Sequence, residues 1–354
     1  MDDTEINDIR LDKDFKGVSF SKYKKTEVKK ELLNSISNEK IEYACNWCAE
    51  LICAGHYIEL WDIILLFISK NIHLANPKLP TYIEIRYQNF RDIVGGGYIG
   101  NELSMRNNPK IRRLFCEIIS VLCFSNKKHP FEPVDIDVNE IFDISKLSNK
   151  LRAPNMTYAQ DIFLAGDPKE IFITINEFAY SIHADVKDSL KACYWIEWMI
   201  EFEGTCRKKK EPCKCERRSF VSVHDKYQMD SIWIIWEIMI EVSKEKSSVI
   251  QRIISSLLSL FCIKYNTSCI RKRRYLIYYA INILTEKINL DIAMIPKKNE
   301  IEKIVEKIDS IYKQIKKNEE SPNTDYLFAN TKQASLEKTI KKIDMMNQVA
   351  TPRN

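Results

Sequence analysis

The segment 207–218 carries a dense positive charge, with seven basic and two acidic residues. A basic loop of this kind can neutralise several phosphates, which gives salt-sensitive nucleic-acid binding that does not depend on base sequence. The alternative is a solvated surface loop without a ligand. The candidate nucleic-acid contacts in it are Arg207, Lys208, Lys209, Lys210, Lys214, Arg217 and Arg218.

A second run of basic residues opens a predicted helix near 272–288 and is followed by tyrosines. Arginine beside tyrosine suits phosphate contact combined with base stacking. Positive side chains at the start of a helix oppose its dipole, which is unfavourable unless an anion compensates. The run therefore predicts either a bound anion or an ordinary helix boundary. Its members are Arg271, Lys272, Arg273 and Arg274.

Thiols and one imidazole near the first basic run could ligate a structural zinc ion. These candidate ligands are Cys206, Cys213, Cys215 and His224. Their spacing lacks the paired C-x2-C knuckles of established zinc motifs, so reduced, unliganded cysteines are the alternative. Most of the eleven cysteines lie in helical patterns, where a thiol acts as a small hydrophobe. No other cofactor is expected.

The sequence contains no arrangement that we recognise as catalytic. The glycines of 95–100 match neither a phosphate-binding loop nor a dinucleotide fingerprint, so they predict a flexible turn. Glu197 and Glu201 are paired at four-residue spacing, as are Glu237 and Glu241, but neither pair has the histidine of a di-metal bundle site. We therefore expect a protein that is not an enzyme.

The elements that would position these residues are helices. With only 8 glycines and 11 prolines the chain has few turn formers, and apolar residues recur at three- and four-residue spacing. The fold class predicted is all-α. The predicted divisions are a flexible N-terminal tail at 1–26, helical domain 1 at 27–125, a connector at 126–157, helical domain 2 at 158–290 with a basic, cysteine-bearing loop at 204–226, and C-terminal amphipathic helices and tail at 291–354.

Two similar segments, ACNWCAELI from Ala44 and ACYWIEWMI from Ala192, leave open whether these regions are two domains or a helical-repeat array. A second open choice concerns isoleucines that alternate three- and four-residue steps, as in the a/d seam of a coiled coil. This short seam predicts either a partner-binding helix or a terminal helix packed on the body. Its members are Ile301, Ile304, Ile308, Ile311 and Ile315.

The segments ACNWCAELICAGHYIELWDII, HLANPKLPTYIEIRYQNF, ACYWIEWMIEFE, CKCERR and DSIWIIWEIMIE resemble an uncharacterised protein family of large cytoplasmic DNA viruses of the giant-virus type. The resemblance covers roughly 40–95 and 186–245. It implies a setting in the host cytoplasm, at a viral factory, or in the virion, and it supplies no catalytic residue. The acidic N-terminus without an apolar run predicts that the protein is not secreted, and no membrane partner is expected.

These observations leave three hypotheses for function. The first is a non-enzymatic helical adaptor or scaffold that assembles viral machinery from viral or host proteins. The second is a nucleic-acid-binding accessory factor for replication, transcription or translation, which would use 207–218 and 271–274. The third is a structural component of the virion.

Overall fold

The computed structural model describes residues 4–137, 144–211 and 213–320, and their regular elements are helical, which confirms the all-α prediction. The α-helices of these residues, in chain order, are α1 Lys25–Ser37, α2 Ile41–Cys53, α3 Tyr57–Phe67, α4 Leu79–Gly95, α5 Pro109–Phe124, α6 Ile144–Ser148, α7 Phe172–Ile182, α8 Ser189–Lys208, α9 Ile232–Lys244, α10 Ser248–Phe261, α11 Cys269–Lys272, α12 Arg274–Thr285, α13 Lys298–Glu306 and α14 Asp309–Lys316.

Helix α10 illustrates how the apolar spacing produces the fold. Its residues Ile253, Ile254, Leu257, Leu260 and Phe261 recur at three- and four-residue steps and are all buried, so one face of the helix enters the core. The side chain of Ser247 accepts a hydrogen bond from a backbone N–H of the first turn and caps the start of the helix.

Within the described part of the chain, no helix has both the length and the apolar character of a membrane span.

The two helical regions of the chain, the first at 27–125 and the second at 158–290, share one hydrophobic core. Buried side chains from both form a single continuous cluster, with α4 packed on α10 and α12 packed on the segment Ile68–Ile72 that follows α3. The hydroxyl of Tyr279 donates to the carbonyl of Asn76 at 2.8 Å, and Asn76 donates to the carbonyl of Met294 at 3.1 Å. Packing and hydrogen bonds therefore join the predicted domains 1 and 2 directly.

The described part of the predicted connector also packs on the body. The N–H of Phe131 donates to the carbonyl of Lys70 at 3.0 Å, and its ring stacks on His73 with the centroids 4.0 Å apart. Three residues later, the N–H of Val134 donates to the Tyr278 hydroxyl at 3.3 Å. This stretch therefore connects the first region to α12 of the second.

The N-terminal segment differs from the predicted flexible tail. Residues 4–10 alternate between buried and exposed, with Thr4, Ile6, Asp8 and Arg10 inside. Three of these four inward residues are polar, so the period of two leaves no hydrophobic pattern in the sequence. Burial is possible because the polar groups find partners.

Arg10 supplies most of these partners at the N-terminus. Its guanidinium pairs with Asp8 at 2.6 Å, donates to the carbonyl of Phe20 at 2.8 Å and lies over the ring of Phe15, 4.8 Å from its centroid. The segment also reaches the far end of the described chain, because the N–H of Glu320 donates to Asp8 at 2.9 Å. Burial alone would raise the pKa of Asp8, but the hydrogen bonds that Asp8 accepts from Arg10 and from the N–H of Glu320 hold it below its usual value.

The C-terminal isoleucine seam packs on the protein's own helices. Ile301, Ile308, Ile311 and Ile315 are buried and Ile304 is half-buried, with α13 against α5 and α14 against α2. The helix is also interrupted between Glu306 and Asp309. Of the two predicted alternatives, the geometry corresponds to the terminal helix packed on the body. Residues 321–354, which include the predicted amphipathic stretch at 334–346, lie outside the described residues.

Replacing Arg10 tests the packed N-terminus. Arg10→Ala leaves the Asp8 carboxylate buried without its cation, and we expect a loss of about 3 kcal/mol or more in the free energy of unfolding. Urea unfolding followed by circular dichroism measures this loss. The exposed Lys13 supplies the control, and Lys13→Ala should leave the transition unchanged.

The pH dependence gives a second check on the same contact. Because the pKa of Asp8 is lowered on folding, its contribution is fully present above its usual pKa of 3.8 and is lost as the pH falls through the lowered value. Two results together would show a mobile tail instead. One is that the Arg10→Ala protein is as stable as the wild type at neutral pH, and the other is that trypsin rapidly cleaves the wild type after Arg10.

A candidate binding groove between the two helical regions

A groove of about 520 Å³ opens between α3 and α4 of the first region and the segment 263–273 of the second. Its volume lies within the range of roughly 300–1,000 Å³ that is usual for ligand sites. The groove ends at the loop of Gly95–Gly100, where Ile99 lines it. Both helical regions therefore contribute a wall to one site.

The floor of the groove is aromatic. Trp61 from α3 contacts Tyr87 and Phe90 from α4, with ring centroids 5.0 and 5.6 Å apart. On α4, Tyr87, Phe90, Arg91 and Val94 follow the i, i+3, i+4, i+7 spacing that places them on one face of the helix. Trp61 is buried, whereas Tyr87 and Phe90 are only half-buried. Aromatic side chains with this partial exposure can contribute large contact area to an occupant.

Positive side chains form the rim. Arg91, Lys264 and Lys272 line the groove, are exposed, and make no ion pair with the described residues. Among the acidic side chains of the lining, Glu59 contacts Lys25 and Asp62 accepts from Arg273, so each is already neutralised. Glu102, the remaining acidic residue of the lining, has no ion-pair partner among the described residues. The unpaired charge around the groove is therefore mainly positive.

Arg273 holds the two walls of the groove together. It is 7% exposed and donates to the carbonyls of Phe261 and Ile263 at the end of α10, at 2.9 and 2.5 Å. It also donates to Asp62 of α3 at 2.9 Å. Its sequence neighbour Lys272 makes none of these contacts and extends to the rim. One basic run therefore supplies both a structural cation and an available one.

Three buried donor groups of the lining residues have no hydrogen-bond partner in the described part of the chain: the Tyr57 hydroxyl, the Trp61 indole N–H and the Nε–H of Arg273. Burial raises the pKa of Tyr57 well above its usual value, so its hydroxyl keeps its proton. Each unpaired buried group costs about 1–3 kcal/mol. These donors lie below the groove surface, so an occupant would reach them only if the floor moved.

The structure changes the interpretation of the first basic run. Arg218 is 3% exposed, because its guanidinium pairs with Asp167 at 2.6 Å and with Glu237 at 2.7 Å. Arg218 is therefore buried, and the prediction that it contacts phosphates at the surface is wrong. Lys214 also pairs with a buried carboxylate, that of Asp230, at 2.5 Å.

The remaining cations of this run lie at the surface. Arg217 pairs with Asp225 at 3.0 Å, while Lys208, Lys209 and Lys210 are exposed. Arg207 pairs with Glu203 one turn earlier, at 3.0 Å. Helix α8 extends to Lys208, so the first two cations belong to the helix and not to the predicted loop. This placement has a physical reason, because positive side chains in a last turn complement the helix dipole.

The second basic run finds its compensating anions in the protein itself. Arg271 pairs with Glu201 at 2.6 Å, and Arg274 pairs with Glu197 at 2.7 Å. Burial raises the pKa of Glu197, and hydrogen bonds from Tyr278 and Arg274 offset part of that effect. Three of the four cations of this run therefore pair with carboxylates of the protein, two on α8 and one, Asp62, on α3. These carboxylates take the place of the bound anion that the sequence offers as one alternative.

The candidate zinc ligands do not form a metal centre in the described residues, where no group of three or more histidine, cysteine or carboxylate side chains is arranged to hold an ion. Burial raises the pKa of Cys213 to about 12 and raises that of Cys215 as well, which opposes the thiolate form that zinc needs. The ring of His224 accepts from the N–H of Lys226 at 3.3 Å. The fourth candidate, Cys206, is half-buried.

Comparisons with protein-family models, with curated proteins and with solved structures found no match to this chain. The viral resemblance and the localisation that it implies therefore stay predictions.

The groove is not among the sites predicted from the sequence. Its signal in the sequence is the spacing of aromatic residues on α3 and α4, which by itself fits core packing equally well.

A pair of adjacent substitutions tests the division of roles at 272–273. Arg273→Ala removes the donors to two carbonyls and the partner of the half-exposed Asp62, so we expect about 3 kcal/mol of lost stability, mainly from the carbonyls. Lys272→Ala removes an exposed, unpaired cation and should change stability by less than about 0.5 kcal/mol. Urea transitions of both proteins are compared with the wild type. Equal effects of the two substitutions would contradict this division.

Proposed function

We propose that the protein is a non-enzymatic helical adaptor that recognises a partner through the groove between its two regions. The observation that carries this proposal is the combination of a half-exposed aromatic floor with an unpaired positive rim. Aromatic and arginine side chains dominate the binding energy of protein interfaces. The setting proposed is the one that the viral resemblance implies, in which the partners are viral or host proteins.

The size of the groove indicates what kind of partner contact it makes. A stable interface between two globular surfaces buries at least about 1,000 Å². A groove of about 520 Å³ instead suits a small ligand or a short segment of a partner that enters it. The adaptor function therefore predicts a local anchor rather than a broad flat interface.

Quantitative affinity purification from cells tests the adaptor function. The bait carries Ile99→Ser with Lys272→Glu, which changes two exposed groove residues and should preserve the fold. We expect the recovery of at least one partner to fall by at least about tenfold, because the two substitutions together remove roughly 2 kcal/mol or more of binding energy. Mass spectrometry quantifies the recovery in nuclease-treated and untreated halves.

The matched control carries Leu190→Ser with Lys303→Glu, two exposed positions that do not line the groove. It should retain the full partner set. An identical partner set for the groove variant and the wild type would rule out the groove as the adaptor site. Partners that disappear with nuclease treatment would favour the second candidate.

The second candidate is a nucleic-acid-binding accessory factor, and one observation favours it. A side chain at Gly204 would lie 3.7 Å from the Arg271 guanidinium, so the two basic runs meet at the same end of α8. Lys208 and Lys210 are exposed there and form no ion pair with the described residues. Two short charge runs that are distant in sequence therefore approach one surface.

A salt titration tests this candidate. Binding of a fluorescent oligo(dT) strand is measured by anisotropy at several salt concentrations for the wild type and for Lys208→Glu with Lys210→Glu. We expect the slope of log K against log salt to become shallower by about 0.7 for each phosphate that the variant no longer neutralises. Lys303→Glu is the control. Binding that does not depend on salt would contradict this role.

A further inference from the structure

We infer that the occupant of the groove is an acidic amphipathic helix of a partner protein, with its apolar side chains on the aromatic floor and its carboxylates at the rim. This inference rests on the proposed adaptor function and specifies the chemistry of the partner.

The mouth of the groove favours an occupant with large apolar side chains. Ile99 is 79% exposed and Ile58 is 52% exposed, and both line the groove. Val94 also lines the groove and is half-buried. Covering aliphatic side chains needs an apolar partner surface, since their exposure to water is unfavourable. A nucleotide would stack on the aromatic rings and leave these isoleucines uncovered, so a peptide suits the lining better than nucleic acid does.

The face of α4 that lines the groove matches a helical occupant. Tyr87, Phe90, Arg91 and Val94 extend along two turns of α4, which is about 10 Å at the rise of an α-helix. A helix that binds in a groove presents its own anchors at the same i, i+3, i+4, i+7 spacing. The wall opposite α4 is formed by Ile263 and the residues that follow it. The groove therefore takes one wall from α4 and another from the segment 263–273.

The rim determines the sign of charge on the partner. Arg91, Lys264 and Lys272 have no ion-pair partner in the described chain, against the single unpaired acid Glu102. Positive rim charges increase the rate of encounter with acidic segments and disfavour basic ones. Acidic residues on the two faces of the incoming helix that flank its apolar stripe would meet these cations.

Three synthetic peptides of about four helical turns test this inference with the full-length protein. The first has Leu at i, i+3, i+4, i+7 positions and Glu elsewhere, the second has Lys in place of Glu, and the third has Ser in place of Leu. Each carries fluorescein, and binding is followed by anisotropy. We expect the first peptide to bind at least about tenfold more tightly than either of the others.

Variants locate the binding site of that peptide. Ile99→Ser and Lys272→Glu should each weaken binding of the Leu/Glu peptide by about tenfold. Leu190→Ser and Lys303→Glu, at exposed positions outside the lining, should leave it unchanged within about twofold. Circular dichroism confirms that each variant is folded before its affinity is compared.

Several outcomes would overturn the inference. One is that none of the three peptides binds the wild-type protein, and another is that the Lys peptide binds as well as the Glu peptide. A third is displacement of the Leu/Glu peptide by oligo(dT) in the wild type but not in the Lys272→Glu protein, which would make the groove a nucleic-acid site. If cellular partners still depend on the groove while no acidic peptide binds, the adaptor function stands and only the partner chemistry is wrong.

Discussion

The buried guanidinium of Arg273 is the polar interaction that joins the two walls of the groove, between helical regions that already share one core. It satisfies two carbonyls at the C-terminal end of α10 and pairs with Asp62 on α3. The last carbonyls of a helix have no partner within the helix itself, and here one side chain supplies it. Because the same group also pairs with the opposite wall, the end of α10 and the side of α3 are fixed relative to each other.

The helical fold was predictable because most helices bury one apolar face. The three- and four-residue spacing in α10 is visible in the sequence without any knowledge of its neighbours. The N-terminal segment was not predictable in this way, because the side chains that it turns inward include Asp8 and Arg10. The periodicity of the isoleucine seam at 301–315 predicts a packing surface, but it does not reveal whether the surface that it meets belongs to the same chain.

The candidate site was less predictable than the fold, because the partners of its charges are distant in the chain. Arg218 pairs with an aspartate 51 residues away, and Arg274 pairs with a glutamate 77 residues away. A charge run seen in a sequence window therefore overstates the positive surface that remains after folding. The groove shows the opposite case, since Arg91, Lys264 and Lys272 come from three separate segments of the chain and line one site where α4 packs against α10.

The contact between Asp8 and Glu320 joins two ends of the described chain that are 312 residues apart. During synthesis at about 5–20 residues per second, the second partner would follow the first by roughly 15 to 60 s. Other contacts of the N-terminal segment lie closer in sequence, ten residues away for Phe20 and 101 for Asn107, so their partners are synthesised earlier. The hydrogen bond between Glu320 and Asp8 therefore forms only after the residues that follow α14 have been synthesised.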